Sequence, residues 1–223
     1  MATQETPPRP LILLVSLSHQ HFFDEMYANL LSAIHAKANV QRVKKATSAL
    51  HQLSRQPAPS AVLVTDEGPS VPENAEVWEA VLQYVRQGGT AVVMGHFPSF
   101  VLPANIEPFF AKAGLPWASG PYHRTTLQLN RDATGYNPAA NLASEYSQKA
   151  LYVKNVALSD SLYVTDEDSR IESSVFGPDK VNTPGETPVA FTRVGNGKLG
   201  YLGDVNAEEG SDTVILAMCG LSA

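Results

Sequence analysis

The sequence predicts one α/β domain built on an open, doubly wound, mostly parallel sheet with helices on both faces. Three observations carry that prediction. Continuous apolar runs at Leu11–Leu17, Ala61–Thr65 and Thr90–Met94 suit strands buried on both faces. Stretches of helical periodicity separate them. Turn residues mark the junctions, so the first hundred residues read β-α-β-α-β-α-β, which right-handed crossovers wind into one sheet.

Met1 to Pro10 holds three prolines and no periodic pattern, and reads as a flexible leader. Residues 11–223 then form the single domain. After the first strand, Ser18-His19-Gln20-His21 leads into a helix from about Asp24 to Lys37. Its residues Met26, Tyr27, Leu30, Leu31 and Ile34 share one stripe. Asp24 and Glu25 suit its N-terminus, where the helix dipole favours negative charge. Val40 to Lys45 is a second strand, toward an edge. Thr47 is placed to cap a short helix reaching about Arg55, which Gln56-Pro57-Ala58-Pro59 breaks. The third strand, Ala61 to Thr65, ends in Asp66-Glu67-Gly68.

Ser70-Val71-Pro72-Glu73 has the spacing of a capping box. Val77, Trp78, Val81, Leu82 and Val85 follow as a one-sided apolar face, closed by Gly88-Gly89. The fourth strand, Thr90 to Met94, stops at Gly95 and presents His96. Pro103 to Ala113 is a helix with Phe109 and Phe110 inward and Gly114 at its end. Thr125 to Leu129 is a short strand, and Asn130 to Ser147 a polar loop or short helix that could form a lid. Leu151 to Leu158, Ser161 to Thr165 and Ile171 to Phe176 are strand-like, and Gly177 to Pro188 is a loop. Val189 to Val194 and Leu199 to Leu202 make a hairpin through Gly195-Asn196-Gly197-Lys198. Asp212 to Met218 is a C-terminal helix ending at Gly220. The layout is flavodoxin-like, with the hairpin as a C-terminal extension.

Composition narrows the function. The chain has 223 residues, 43% apolar and 17% charged, enough for a core without disulfides. Net charge is -6, with 16 basic against 22 acidic residues, which argues against nucleic-acid binding. Arg42, Lys44 and Lys45 form the densest basic group and read as a solvated edge. The single cysteine, Cys219, excludes an internal disulfide and a Cys-rich zinc site. The longest early apolar run has seven residues, against the about 20 that a membrane span needs. A cytoplasmic, soluble protein with no membrane partner is expected.

In an open α/β sheet the ligand crevice lies beyond the carboxyl ends of the strands. Those ends deliver Ser18, His19 and His21; Asp66 and Glu67; Gly95, His96, Phe97 and Ser99; and Gly203, Asp204 and Asn206. His96, just past a sharp strand exit, is the leading candidate. His123, between Tyr122 and Arg124 after Gly120-Pro121, reads as a loop residue with a local role.

The run Gly88-Gly89-Thr90-Ala91-Val92-Val93-Met94-Gly95-His96 resembles the class I glutamine amidotransferase-like fold, whose superfamily includes the DJ-1/PfpI and ThuA-like proteins. Leu13-Leu14-Val15-Ser16-Leu17-Ser18-His19 and Gly195-Asn196-Gly197-Lys198-Leu199-Gly200-Tyr201-Leu202-Gly203-Asp204 are most similar to the ThuA-like branch. The resemblance implies a cysteine nucleophile at the turn after the fourth strand. None stands there, and Cys219 reads as a buried small hydrophobe. Glutaminase chemistry is therefore not expected.

Three readings stay open. The protein binds a small ligand or a partner without catalysis. Or it is a small-molecule hydrolase or isomerase, sugar-related by the ThuA-like resemblance, with His96 as general acid/base oriented by Asp66 or Glu67. Ser18, His19, Gly95, Phe97, Ser99, Asp204 and Asn206 would then contact ligand. Or His19, His21, His96 and a carboxylate hold a divalent metal. No cofactor is expected. Because proteins of this fold often form dimers, the resemblance implies a homodimer.

Overall fold

The computed structural model describes residues 9–173 and 179–222. The chain runs β1 (Leu11–Val15), α1 (Phe23–Met26), α2 (Ala28–Lys37), β2 (Asn39–Val43), α3 (Ala46–Leu53), β3 (Ala61–Val64), α4 (Ala75–Arg86) and β4 (Thr90–Val93). It continues through α5 (Phe97–Phe100), α6 (Pro103–Ala111), β5 (Ala118–Leu129), β6 (Glu145–Lys154), β7 (Ser161–Val164), β8 (Glu186–Thr187), β9 (Val189–Val194), β10 (Gly197–Leu202) and α7 (Glu209–Met218). One ten-stranded sheet holds them in the order β2-β1-β3-β4-β10-β9-β7-β5-β6-β8.

The first five strands of that order are parallel, including β10 beside β4. This is the flavodoxin-like half, with β2 at the edge. The hairpin of β9 and β10 is present, and it begins an antiparallel half of five strands.

Alternation along β1 shows how both faces are covered. Leu13 and Val15 belong to one core, with Val81, Phe97, Phe110 and Trp117. Ile12 and Leu14 belong to the other, with Leu30, Ile34, Val214 and Ile215. Side chains of successive strand residues point to opposite faces, so a strand buried on both must be apolar throughout.

Several boundaries differ from expectation. The first helix starts at Phe23 and is interrupted at Tyr27, whose backbone leaves helical geometry (φ -103, ψ 24) while its ring stacks on Phe23 at 4.7 Å. Lys45, not Thr47, occupies the N-cap of α3. Ser70 and Glu73 form no capping box: two short 3-10 turns precede α4, and Asn74 is its N-cap with no side-chain cap. Gly88 and Gly89 do close α4. Gly88 takes a positive φ of 113, and the amides of Gly88 and Gly89 bond the Val85 and Tyr84 carbonyls.

The strand expected from Thr125 begins at Ala118, so Tyr122 and His123 lie in β5 rather than in a loop. Ser147 lies within β6, whose start at Glu145 shortens the expected lid. The strand expected at Ile171 to Phe176 falls partly outside the described residues. Ile171 to Ser173 are not strand, although Arg170 and Lys180 form an isolated bridge.

Candidate functional site

The exit from β4 organises the carboxyl edge of the parallel strands. Gly95 takes φ +69, and a Cβ there would meet the Thr65 carbonyl oxygen at 2.8 Å and the Phe23 ring at 2.9 Å. Only glycine fits that close approach without strain. The next amide, of His96, donates to the same Thr65 oxygen at 2.8 Å. Thr65 is itself fixed: its hydroxyl lies 2.7 Å from that of Ser16 and donates to the Val15 carbonyl at 3.1 Å. The turn is thus pinned to β1 and β3 by backbone and hydroxyl contacts.

That pinning drives His96 into a cage of rings. Its imidazole centroid lies 4.8 Å from Phe22, 5.1 Å from Phe23, 5.8 Å from Tyr27 and 5.4 Å from Phe100. His96 is 1% exposed, and neither Nδ1 nor Nε2 has a hydrogen-bond partner among the described residues. Burial lowers its pKa, helped by the neighbouring His19, so the ring stays neutral near pH 7. Phe22 and Phe100 form the outer wall and are 38% and 43% exposed.

Asp66 is equally buried at the end of β3. One oxygen accepts from the Gly68 amide at 3.1 Å, and Oδ2 has no partner. Burial pushes its carboxyl up to about 6, against the opposing pull of the backbone amides of Ser18, Gly68 and Leu17. Glu67 follows, with Oε2 buried and unpartnered. Neither carboxylate hydrogen-bonds His96.

His19 packs against Phe23 at 5.9 Å, its Nδ1 buried and unpartnered. Burial lowers its pKa first, then Lys44 and Arg42. His21 turns away and meets Phe22 edge-on at 5.3 Å. Ser18 offers its carbonyl to Gln20 at 3.2 Å, and its amide faces Asp66. Ser99 is exposed, with its amide bonded to the His96 carbonyl at 3.1 Å. Phe97 points the other way, into the core against Phe109 at 5.0 Å, so it belongs to packing rather than to the cage.

Asp204 sits beyond β10, buried. Its two oxygens accept from the amides of Asn206 (2.7 Å) and Glu208 (2.8 Å), which holds the approach to α7. Burial raises its pKa. With its amide turned to satisfy both neighbours, Asn206 accepts from Arg124 at 2.8 Å and donates to the Val205 carbonyl at 3.2 Å. Arg124 is also ion-paired with Glu208. Tyr27 links the two groups: its ring contacts His96, while its unpartnered hydroxyl feels Asp204 and Asp212.

The aromatic residues are what sequence reasoning missed. Phe22 and Phe23 follow His19 and His21 directly, and Phe100 comes four residues after His96. A pair of phenylalanines beside two candidate histidines was the available signal.

The metal reading gains no support from the geometry. Among the described residues no group of three His, Cys, Asp or Glu side chains could hold an ion. His19 and His96 approach each other, but His21 leaves the cluster and neither nearby carboxylate bonds to either ring. Cys219, next after α7, is buried, and its thiol is pushed up to about 12 by burial, which makes it an inert core atom. Among the described residues no helix is long and apolar enough to cross a membrane.

Comparison with known proteins identifies the fold. No protein-family model matches the sequence, and no curated protein does. The structure is similar to one described as ThuA-like from Bacteroides uniformis, with TM-score 0.57 and 13% identity over 97% of this chain and 92% of that one. A second ThuA-like structure, from Parabacteroides merdae, gives TM-score 0.54 and 14% identity over 96% and 90%. A β-galactosidase from Bacillus circulans gives TM-score 0.56 and 12% identity over 96% of this chain but only 31% of its own. The fold is therefore that of ThuA-like proteins, and it also occurs as part of a much longer glycosidase.

Proposed function

We propose that this chain is a ligand-binding protein of the ThuA-like, amidotransferase-like fold, without glutaminase chemistry, and that its ligand is a small neutral molecule received at His96. One observation carries the proposal. A fully buried imidazole lies among four aromatic rings with both nitrogens unpartnered. Leaving a buried polar atom unsatisfied costs about 1–3 kcal/mol, and native proteins rarely tolerate it without a reason. A neutral imidazole has one donor and one acceptor. The complement is a group that can both accept and donate, such as a hydroxyl or a carboxamide, presented between ring faces. A charged ligand fits poorly, because burial favours the neutral forms of both His96 and Asp66. Phe22 and Phe100, partly exposed, are the side chains that must swing aside for entry.

The hydrolase or isomerase reading fits less well. His96 as general acid/base needs an orienting partner, and its ring has none. The test is ligand-observed NMR with neutral sugars and short carboxamides, run against carboxylates of the same size. Neutral compounds should bind, and His96→Phe, which keeps the ring packing, should abolish the signal. Ammonia release from L-glutamine, or binding that His96→Phe leaves intact, would overturn the reading.

A further inference from the structure

A second polar cluster lies behind Tyr27, where the end of β10 meets β6 and the start of α7. Asp204 leaves β10 and forms a bridge with Ala150 of β6. Gln148 lies two residues before Ala150, on the same face of the strand. Its Nε2 donates to the Ser211 hydroxyl, in the first turn of α7, at 3.0 Å. Ser211 in turn faces Asp204, and Asp212 follows it, half-buried. The Tyr27 hydroxyl approaches from the N-terminus of α2 and feels both carboxylates. The Tyr146 hydroxyl lies beside Ser211.

Three oxygens here have no hydrogen-bond partner among the described residues: Gln148 Oε1 and the hydroxyls of Tyr27 and Tyr146. Gln148 is 0% exposed and Tyr27 3%. The Gln148 nitrogen is already used on Ser211, so what remains is a buried carbonyl acceptor that receives nothing, which native proteins rarely tolerate. Charge is unbalanced as well. Neither Asp204 nor Asp212 has an ion pair among the described residues. The charged groups that act on them are carboxylates: Glu208 on Asp204, and Asp204 with Glu209 on Asp212. Arg124, bonded to Asn206, is taken by Glu208. Burial, and then Asp204, pushes Asp212 up to about 7. Helix capping explains part of this, since Asp204 accepts the amides that lead into α7 and acids suit a helix N-terminus. It does not explain the orphaned carbonyl of Gln148, which belongs to a strand, or the two orphaned hydroxyls.

We propose that this cluster binds a calcium ion, with the carboxylates of Asp204 and Asp212 and the Oε1 of Gln148 as its protein ligands and the hydroxyls of Tyr27 and Tyr146 bonded to its waters. Every donor is oxygen, two are carboxylates and one is an amide carbonyl, the ligand types that calcium takes in flexible geometry. Magnesium demands a near-ideal octahedron and keeps most of its water, and softer metals call for imidazole or thiolate. No third His, Cys, Asp or Glu side chain joins the two carboxylates among the described residues, so the amide carbonyl and water must complete the shell. A divalent cation there offsets the burial of two like charges and gives the Gln148 carbonyl its partner. The cluster shares Tyr27 with the ring cage, but its test does not depend on what His96 receives.

The experiment is isothermal titration calorimetry of the whole chain, freed of metal with EDTA, against calcium chloride and, separately, magnesium chloride at matched ionic strength. Thermal denaturation with and without calcium runs in parallel. One saturable calcium site is expected, with a Tm that rises with calcium concentration. Asp212→Asn, which removes one ligand charge, and Gln148→Met, which keeps the side-chain size and removes the carbonyl, should each bind calcium at least tenfold more weakly. Asp212 is half-buried, so its variant should keep the wild-type far-UV circular dichroism. No saturable calcium binding by the wild-type chain would overturn the proposal. So would binding that either variant leaves unchanged, or magnesium bound as tightly as calcium.

Discussion

Asp66 occupies the end of β3 with 1% of its surface exposed, and burial pushes its carboxyl up from 3.8 to about 6. A carboxyl whose folded pKa is raised holds its proton in the native state over a window where the unfolded chain has lost it. Stability therefore falls as pH rises from about 4 to about 6, and the full penalty persists above that. For a shift of this size the penalty is on the order of 3 kcal/mol. Asp66→Asn keeps the acceptor for the Gly68 amide and removes the charge. The expected outcome is a variant more stable than wild type by about 2–3 kcal/mol at pH 8 and near-equal to it at pH 3.5, by urea denaturation. An equal difference at both pH values would show that charge burial is not the cause. At this scale the sequence made the ends of the strands legible, because Asp66 and His96 each follow an apolar run directly. It did not make their surroundings legible. Phe22, Phe23, Tyr27 and Phe100 sit in helices or beside them, and only tertiary packing turns them onto one imidazole.

Helix boundaries show where local pattern and neighbouring residues compete. Ser70 to Glu73 has the letters of a capping box, but Val71 precedes Pro72, and a residue before proline is pushed out of the helical region. Val71 is accordingly extended (φ -90, ψ 149), and α4 waits until Ala75. Gly120-Pro121 misleads in the opposite sense. The pair looks like a turn, yet it forms an irregularity within β5, where register against β6 shifts between Ser119 and Tyr122. A Cβ at Gly120 would meet the Tyr152 carbonyl at 2.9 Å, so glycine there serves close backbone approach rather than a turn. In α3, Thr47 has the right chemistry for a cap but lies two residues too late, and Lys45 takes the position instead. Lys45→Ser should therefore stabilise the protein by about 1 kcal/mol, since Ser accepts from the open first-turn amides. Urea denaturation measures the gain. A loss of stability would mean that the first turn of α3 is already satisfied.

Across the whole molecule, most of the parallel half was legible because β1, β3 and β4 are continuous apolar runs and periodic helices separate the first four strands. In the antiparallel half β7 and β9 were legible too, but β5 and β6 were read only in part, because polar residues at half-buried positions break their pattern. β5 mixes Ser119, His123 and Arg124 with its few buried positions. What unites the halves is visible only in three dimensions. Trp78 on α4 stacks on Phe109 at 3.8 Å and donates to its carbonyl at 2.8 Å. Phe110 beside it meets Trp117, just before β5, at 5.1 Å, and Tyr201 of β10 at 5.8 Å. The Tyr201 hydroxyl then donates to the Leu151 carbonyl of β6 at 2.8 Å. One core thus contains residues of both halves, and neither half can lose its packing while the other keeps it intact. Unfolding should be a single cooperative transition. Trp78→Phe and Trp117→Phe each leave one fluorescent reporter, in the antiparallel and parallel halves respectively. Within each variant the urea transitions by fluorescence and far-UV circular dichroism should coincide. If the Trp117 reporter instead melts before the circular dichroism signal does, the antiparallel half is a separate folding unit.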